Sequence, residues 1–354
     1  MKKIGFCINS LEMGGAEKLL VDIINILSET KEYEIFLLTK VKSNSYFYNK
    51  IKDKVKYFYL LEKEETNNIL SRLKNSVIKK IQFKKFIKDL DIIIDFLDCD
   101  FYKYIKKVKN KEKITWLHSS YRNLENRKKV EKKIYYYDKV IVIADDMEKE
   151  IKTETENLNI YKIYNLIDFS MIDKKLEENR EKLPKERYFL TVCRLNEEQK
   201  DVTTLINAFS LYKGNEKLLI IGDGEDRKKL EKLCKEKKLE NKIKFLGTFS
   251  NPYIFMKCAE CFILSSKTEG FGLVIAEALY CGTKVISSNC PVGPREILFD
   301  GKIGELFKVG DEKELLDKLN NISQKEYDKN LIEQSLKRYS KEEFIKKFKE
   351  VIEC

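Results

Sequence analysis

The stretch "SSKTEGFGLVIAEALYCGTKVIS" at 265–287 places two carboxylates, Glu269 and Glu277, around a glycine turn that opens an apolar helix. Carboxylates on a buried face need partners, so both are candidates for chemistry. An acid and a nucleophile acting on one glycosidic bond need carboxyl groups about 5–5.5 Å apart, or about 6.5–9.5 Å when a water intervenes. Eight residues of helix separate two side chains by about 12 Å. That spacing is poorly suited to flanking one bond and better suited to gripping two ends of an elongated ligand. Further residues of useful type are Gly14 and Gly15 in "LEMGGAE", the lone histidine His118, Arg194 with Lys200 six positions later, and "GDG" at 222–224. Glycines ahead of a helix let backbone N–H groups approach a phosphate. Arg194 and Lys200 supply fixed positive charge for a diphosphate, and glutamates accept hydrogen bonds from ribose or sugar hydroxyls. Together the types describe a sugar joined to a nucleoside through a diphosphate.

The elements that must position these residues are short apolar runs separated by helical spacing. "KIGFCIN", "YEIFLLT", "DIIIDFL", "KITWLHSS" and "KVIVIA" occupy the front half, and "YFLTVCRL", "KLLIIGDG", "KIKFLG", "CFILSS" and "KVISS" the back half. β-branched and aromatic runs alternating with helices indicate an α/β protein with parallel, doubly wound sheets. In such sheets ligands bind beyond the carboxyl ends of the strands, and each candidate follows a strand. Because the candidates come from both halves, two Rossmann-like domains facing each other across a cleft are expected. The predicted boundaries are 1–166 for the first domain, 167–186 for a charged linker containing Pro184, and 187–338 for the second domain. A last helix over 339–354 is expected to pack back on the first. A helix near 124–136, Pro252 in the first turn of a helix, and "DCD" (Asp98 to Asp100) as a helix start complete the local expectations.

Composition narrows the partners. The chain has 354 residues, 43% of them hydrophobic, and no run of about 18 apolar residues that could span a membrane. Of the net charge of +11, residues 1–165 carry +9 (34 Lys/Arg against 25 Asp/Glu) and the remainder +2. A basic front half fits an anionic partner. "VIKKIQFKKFIKDL" (Val77 to Leu90) mixes lysine with Phe and Ile, as a helix at an anionic membrane surface would, and equally as a sheet-flanking helix with a solvated lysine face would. No helix-turn-helix, zinc-finger or RNP motif accompanies the charge, so nucleic acid is not expected as a partner. The nine cysteines are odd in number and dispersed, which indicates a reduced, cytoplasmic chain. The one Cys-x-x-Cys, Cys258 to Cys261, reads as a buried structural pair.

"EGFGLVIAE" resembles the Glu-x₇-Glu signature of the retaining glycosyltransferases of family 4, which have the GT-B fold. The resemblance covers nearly the whole chain. "MGGAEKLL" is similar to the family's first loop, "VCRLNEEQKDVTTLINAF" to its Gly-Arg-Leu…Lys segment, and "IGDGEDRKKLE" to the turn that follows. The run from "FLGTFSNPY" to "CPVGPREIL" (245–298) resembles its donor-binding core.

The resemblance implies transfer of a hexose or N-acetylhexosamine from a nucleotide diphosphate sugar, with UDP favoured over GDP, to a saccharide or lipid-linked saccharide. It points to the assembly of bacterial surface polysaccharide such as capsule or lipopolysaccharide O-antigen. It implies that Glu277 holds the ribose hydroxyls and Glu269 a hydroxyl of the donor sugar. Gly270, Phe271, Gly272 and Leu273 would present backbone to sugar and phosphates, and Gly14 and Gly15 would close over the diphosphate. Glu269, His118, Arg194 and Lys200 are the expected catalytic set, with His118 beside the sugar. No cofactor and no metal is expected, Arg194 and Lys200 taking the place of an ion. Cys193 stands where the family usually has glycine, and Asp201 follows Lys200 where glycine or another small or polar residue is common. A GDP-sugar transferase of the same fold and a non-enzymatic basic ligand-binding or nucleic-acid-binding protein are the alternative readings. Membrane association, if present, is expected to be peripheral, at the inner face of the cytoplasmic membrane.

Overall fold

The apolar runs become two sheets whose strands are all parallel. The computed structural model describes residues 1–12, 14–63, 69–118, 132–177 and 186–353. It divides into two units, Met1–Leu166 with Lys341–Cys354, and Ile167–Ser340. In the first unit β1 (Lys2–Ile8), β2 (Tyr33–Val41), β3 (Lys56–Leu61), β4 (Ile92–Asp95), β5 (Glu112–Trp116), β6 (Lys139–Val142) and β7 (Ile160–Lys162) lie in the order β3-β2-β1-β4-β5-β6-β7. In the second, β8 (Tyr188–Val192), β9 (Lys217–Ile221), β10 (Ile243–Gly247), β11 (Cys261–Leu264), β12 (Val285–Ser288) and β13 (Glu305–Phe307) lie in the order β10-β9-β8-β11-β12-β13. Helices cover a parallel sheet on both faces, so its strands read as unbroken apolar runs. Every residue of β4, β6 and β12 is buried, even Ser287 and Ser288.

The first unit is completed from the far end of the sequence. The helix Lys341–Glu353 sets Phe344 and Phe348 against the Trp116 ring, with centroids 6.2 and 6.4 Å away. Its last carbonyls have no intrahelical partners. Lys2 and Lys139 satisfy two of them, donating through Nζ to the oxygens of Ile352 and Val351 at 2.6 Å each.

The basic helix Ile69–Ile87 buries Phe83 and Phe86 in the core. A β-carbon on Gly5 would lie 2.7 Å from the Phe86 ring, so β1 needs glycine there. The aromatic residues of Val77–Leu90 therefore belong to the protein interior. The same helix leaves Leu73, Val77 and Ile81 65%, 57% and 48% exposed. Residues four apart share one helix face.

Two local expectations are corrected. Asp98 and Cys99 adopt left-handed backbone (φ 44° and 64°), and the next helix is the four-residue Tyr102–Ile105. "DCD" is therefore a turn, and the Asp98 carboxylate accepts the His118 N–H at 2.9 Å. Cys258 is exposed at the end of the helix Tyr253–Cys258 while Cys261 is buried in β11, so the two are not a buried pair. Pro252 directly precedes that helix, where its missing N–H costs no hydrogen bond. Within 167–186, Phe169–Glu177 is a helix of the second unit, with Phe169 stacked on Tyr280 at 4.3 Å and Asp173 accepting from the Tyr280 hydroxyl at 2.8 Å. Residues 178–185, including Pro184, and most of the helix expected near 124–136 lie outside the described residues.

Candidate active site

In the order β10-β9-β8-β11-β12-β13 the chain changes direction between β8 and β11, and a crevice forms there at the carboxyl ends of the strands. The segment after β8 carries Cys193 to Lys200, and the segment after β11 carries Ser265 to Gly272. Lys200 and Glu269 meet at this point: Lys200 Nζ lies 2.6 Å from Glu269 Oε1, with side chains only 15% and 7% exposed. The Ser266 hydroxyl donates to the same oxygen at 2.5 Å. Ser266 is itself held through its carbonyl, which accepts from the Ser288 hydroxyl at the end of β12 at 2.6 Å.

The two segments are laced together along their backbones. Asn196 caps the short helix Glu197–Lys200 by accepting the Gln199 N–H at 3.0 Å. The Glu197 carboxylate takes the N–H of Val202 at 2.8 Å, at the start of the next helix. Ser265 Oγ donates to the Lys200 carbonyl at 3.1 Å, and the Lys267 N–H to the Gln199 carbonyl at 2.8 Å. Asp201 sits in left-handed conformation (φ 47°), where its carboxylate accepts from Thr204 at 2.8 Å. The aspartate that follows Lys200 is thus accommodated locally.

Glycine is required at both sides of the Glu269 turn. Gly272 (φ 84°) caps the helix Leu273–Tyr280, whose first N–H groups point out of its N-terminus. Gly293 (φ 102°) crosses beneath, and a β-carbon there would sit 1.7 Å from the Phe271 carbonyl oxygen. Glu277 lies half-buried on the same helix, where the Tyr253 hydroxyl approaches its Oε1 at 3.4 Å. "GDG" has a comparable role: a β-carbon on Gly222 would lie 1.8 Å from the Cys193 carbonyl oxygen, and one on Gly224 2.3 Å from that of Leu195. The turn after β9 thus braces the segment that presents Arg194. Arg194 itself is exposed and makes no ion pair among the described residues. Burial pushes the Cys193 thiol up to about 11, against the pull of Lys200, so it sits as a neutral group where the family usually has glycine.

In the first unit Gly14 precedes the helix Gly15–Thr30, and its carbonyl accepts the Lys18 N–H at 3.1 Å. A β-carbon on Gly15 would meet nothing within 4 Å, so that helix start is open. His118 follows β5 with its ring 4.4 Å from Phe96 and stacked on Trp116 at 5.7 Å. Burial depresses its pKa to about 3, which keeps it neutral, and Nε2 has no partner among the described residues. At the end of β4, Asp95 is fully buried and receives the Tyr137 hydroxyl at 2.5 Å and the Phe101 N–H at 2.9 Å. Burial, outweighing these two bonds, lifts its pKa to about 7.

The structure therefore brings Lys200, Glu269, Gly270, Phe271, Gly272, Leu273 and Glu277 into one region of the second unit, with Arg194 on the adjoining segment. Gly14, Gly15 and His118 stand at strand ends of the first. Sequence reasoning missed Ser266, Ser288, Tyr253 and Gly293. Consecutive serines closing two apolar strands, "CFILSS" and "KVISS", were the available signal for the first two. Among the described residues no group of three or more His, Cys, Asp or Glu is arranged to hold a metal.

Residues 172–342 match the family described as Glycosyl transferases group 1. Over 341 residues the chain is 28% identical to a Campylobacter jejuni N-acetylgalactosamine-N,N'-diacetylbacillosaminyl-diphospho-undecaprenol 4-alpha-N-acetylgalactosaminyltransferase, covering 91% of this chain and 90% of that one. It is 26% identical to the lipopolysaccharide 1,6-galactosyltransferase of Salmonella typhimurium over 357 residues, covering 96% and 95%. Among solved structures, the apo form of the lipopolysaccharide outer core galactosyltransferase WaaB matches with a TM-score of 0.80 at 24% identity, over 99% of both chains. Anabaena Alr3699/HepE in complex with UDP and glucose matches with a TM-score of 0.80 at 18% identity, over all of both chains. With these relatives and its two parallel Rossmann-like sheets, the chain is a glycosyltransferase of the GT-B fold, and its residues 172–342 match the group 1 glycosyl transferases.

Proposed function

We propose that this glycosyltransferase moves a hexose or N-acetylhexosamine from a UDP-sugar, with retention of configuration, to a lipid-linked saccharide in the assembly of bacterial surface polysaccharide. The observation that carries the reading is the Lys200–Glu269 pair, at the direction change of the second sheet and beside a helix N-terminus. A diphosphate placed there meets Lys200, the exposed guanidinium of Arg194 and the first amides of Leu273–Tyr280. Glu269 is then released from Lys200 to accept from a sugar hydroxyl, and Glu277 accepts from the ribose. Departure of the diphosphate leaves negative charge on oxygen, and fixed cations aimed at that charge supply the largest catalytic contribution. No metal is required for this in the proposed mechanism. In the first unit the proposed roles are those of Gly14 and Gly15 as amide donors to phosphate, and of His118 as a neutral ring offered to a hydroxyl.

The Campylobacter relative's diphospho-undecaprenol substrate and the UDP and glucose in the Anabaena neighbour support the acceptor and donor classes. No described helix is long and apolar enough to cross a membrane. A membrane-embedded acceptor would instead be met from the surface, which the exposed Leu73, Val77 and Ile81 on a basic helix favour.

The test is a thermal-shift screen against UDP- and GDP-sugars, followed by turnover of the best ligand. A UDP-sugar at 100 times its Kd stabilises by about 2.7 kcal/mol. Arg194→Ala should then cut turnover far more than UDP affinity. Stabilisation by GDP-sugars alone would reject the UDP assignment, and turnover within about threefold, roughly 0.7 kcal/mol of barrier, would reject the role of Arg194.

A further inference from the structure

A cavity of about 560 Å³ opens within the first unit, and its lining is strongly cationic. Lys40 closes β2, Lys79 projects from the helix Ile69–Ile87, Lys103 from the helix after β4, and Lys133 from the stretch before β6. These four lysines line the cavity from four separate elements beyond the carboxyl ends of β2, β3 and β4, the side of a parallel sheet on which ligands bind. Among the described lining residues the one carboxylate, Asp100, accepts a hydrogen bond from Asn9.

Elsewhere in this unit the buried Lys139 pairs with Glu112 at 2.5 Å, the half-buried Lys113 with Asp138 at 3.3 Å, and the half-buried Lys111 donates to backbone carbonyls. In the cavity, Lys40, Lys103 and Lys133 make no ion pair among the described residues. Lys40 and Lys133 instead lie over the rings of Phe101 and Tyr102, at 5.6 and 5.9 Å. Like charges gathered in a concavity raise one another's energy until an anion enters. The helix that supplies Lys79 carries seven Lys or Arg and no acid over 69–88, together with the exposed Leu73, Val77 and Ile81. Cations beside an apolar face suit an anion joined to a hydrocarbon.

We infer that this cavity binds the diphosphate of a polyprenyl diphosphate-linked acceptor. The inference rests on the transferase reading for the word acceptor, while the cavity's taste for a lipid diphosphate stands on the lysines. The same chemistry could be met by the donor's diphosphate, and the experiment separates the two sources.

The probes are farnesyl diphosphate, farnesol and UDP, each titrated calorimetrically at fixed ionic strength into the wild type, into Lys40→Gln/Lys133→Gln and into Lys103→Glu. Lys103 is exposed, so its substitution leaves the core untouched. A hydrogen bond to a charged group contributes about 1.5–3 kcal/mol, so each variant should bind farnesyl diphosphate at least about tenfold more weakly, 1.4 kcal/mol, with UDP affinity kept within about twofold. Affinity for farnesyl diphosphate unchanged in both variants would overturn the inference. So would farnesol binding as tightly as its diphosphate, or UDP displacing farnesyl diphosphate one for one. Loss of farnesyl diphosphate binding in the variants of a protein that shows no UDP binding at all would uphold the cavity and reject the transferase reading instead.

Discussion

Ser266→Ala is the sharpest probe of the candidate active site. The hydroxyl is fully buried and donates to Glu269 Oε1 at 2.5 Å, an oxygen that also holds Lys200 Nζ at 2.6 Å. Removing the serine oxygen leaves the ion pair in place, so the buried carboxylate is not stranded. The roughly 3–5 kcal/mol cost of breaking a buried pair does not apply. The loss is one hydrogen bond to a charged acceptor, about 1.5–3 kcal/mol. With Ser266 gone, Glu269 is drawn toward Lys200 alone and away from the sugar it is proposed to orient. If that bond sets the geometry of transfer, the loss appears in the barrier, and kcat falls about 10- to 150-fold. Glu277 and its helix are untouched, so UDP should bind within about twofold of the wild type. Initial rates of UDP release over a range of donor concentrations, with a separate UDP titration, give both quantities. A kcat within threefold of the wild type would refute the reasoning. So would an equal loss of UDP affinity, which would mean that the serine merely holds the loop together.

Gly293→Ala should destabilise the second unit by at least about 2 kcal/mol in denaturant unfolding, because its φ of 102° and the Phe271 carbonyl both exclude a β-carbon; unfolding at the wild-type midpoint would contradict the close approach. Asp95→Asn tests the buried carboxyl in the first unit. Its pKa rises from 3.8 to about 7 on folding, so the folded state keeps a proton that the unfolded chain releases, and stability is lost as pH climbs from about 4 to about 7. At 1.36 kcal/mol per pH unit the loss is about 4 kcal/mol, and the asparagine protein should lack it. His118, held near 3, gives the opposite slope below about 6.5 and cancels when the two proteins are compared; identical pH profiles would reject the assignment. Vesicles rich in anionic lipid should retain the protein at low salt and release it at high salt, with Val77→Asp/Ile81→Asp retained less; equal retention of both proteins would remove the exposed helix face from the contact.

The glycine turn of "EGFGLVIAE" was legible because its requirement is local: Gly272 must take a positive φ to start the next helix. The two parallel sheets were legible because burial on both faces leaves continuous apolar runs. Other features depend on neighbours remote in sequence. Ser266 reads as an ordinary loop serine until β12 brings Ser288 against its carbonyl, 22 residues on. "DCD" has the composition of a helix cap, yet the Asp98 carboxylate is claimed by the His118 amide, 20 residues away just past β5. Phe83 and Phe86 look like lipid-facing residues among lysines, and only the glycine in β1 that makes room for them marks them as core. The lysine-lined cavity draws on four elements, and no local pattern announces it.

The helix Lys341–Glu353 closes the core of the unit that contains the first residue. Lys139 reaches across 212 residues and Lys2 across 350 to cap it. During synthesis, the opening half of the chain must therefore leave the ribosome with the Trp116 face uncovered and wait for nearly all of the second half to be made. Assembly of the unit translated first finishes last, and a premature stop anywhere in the second half would damage the first.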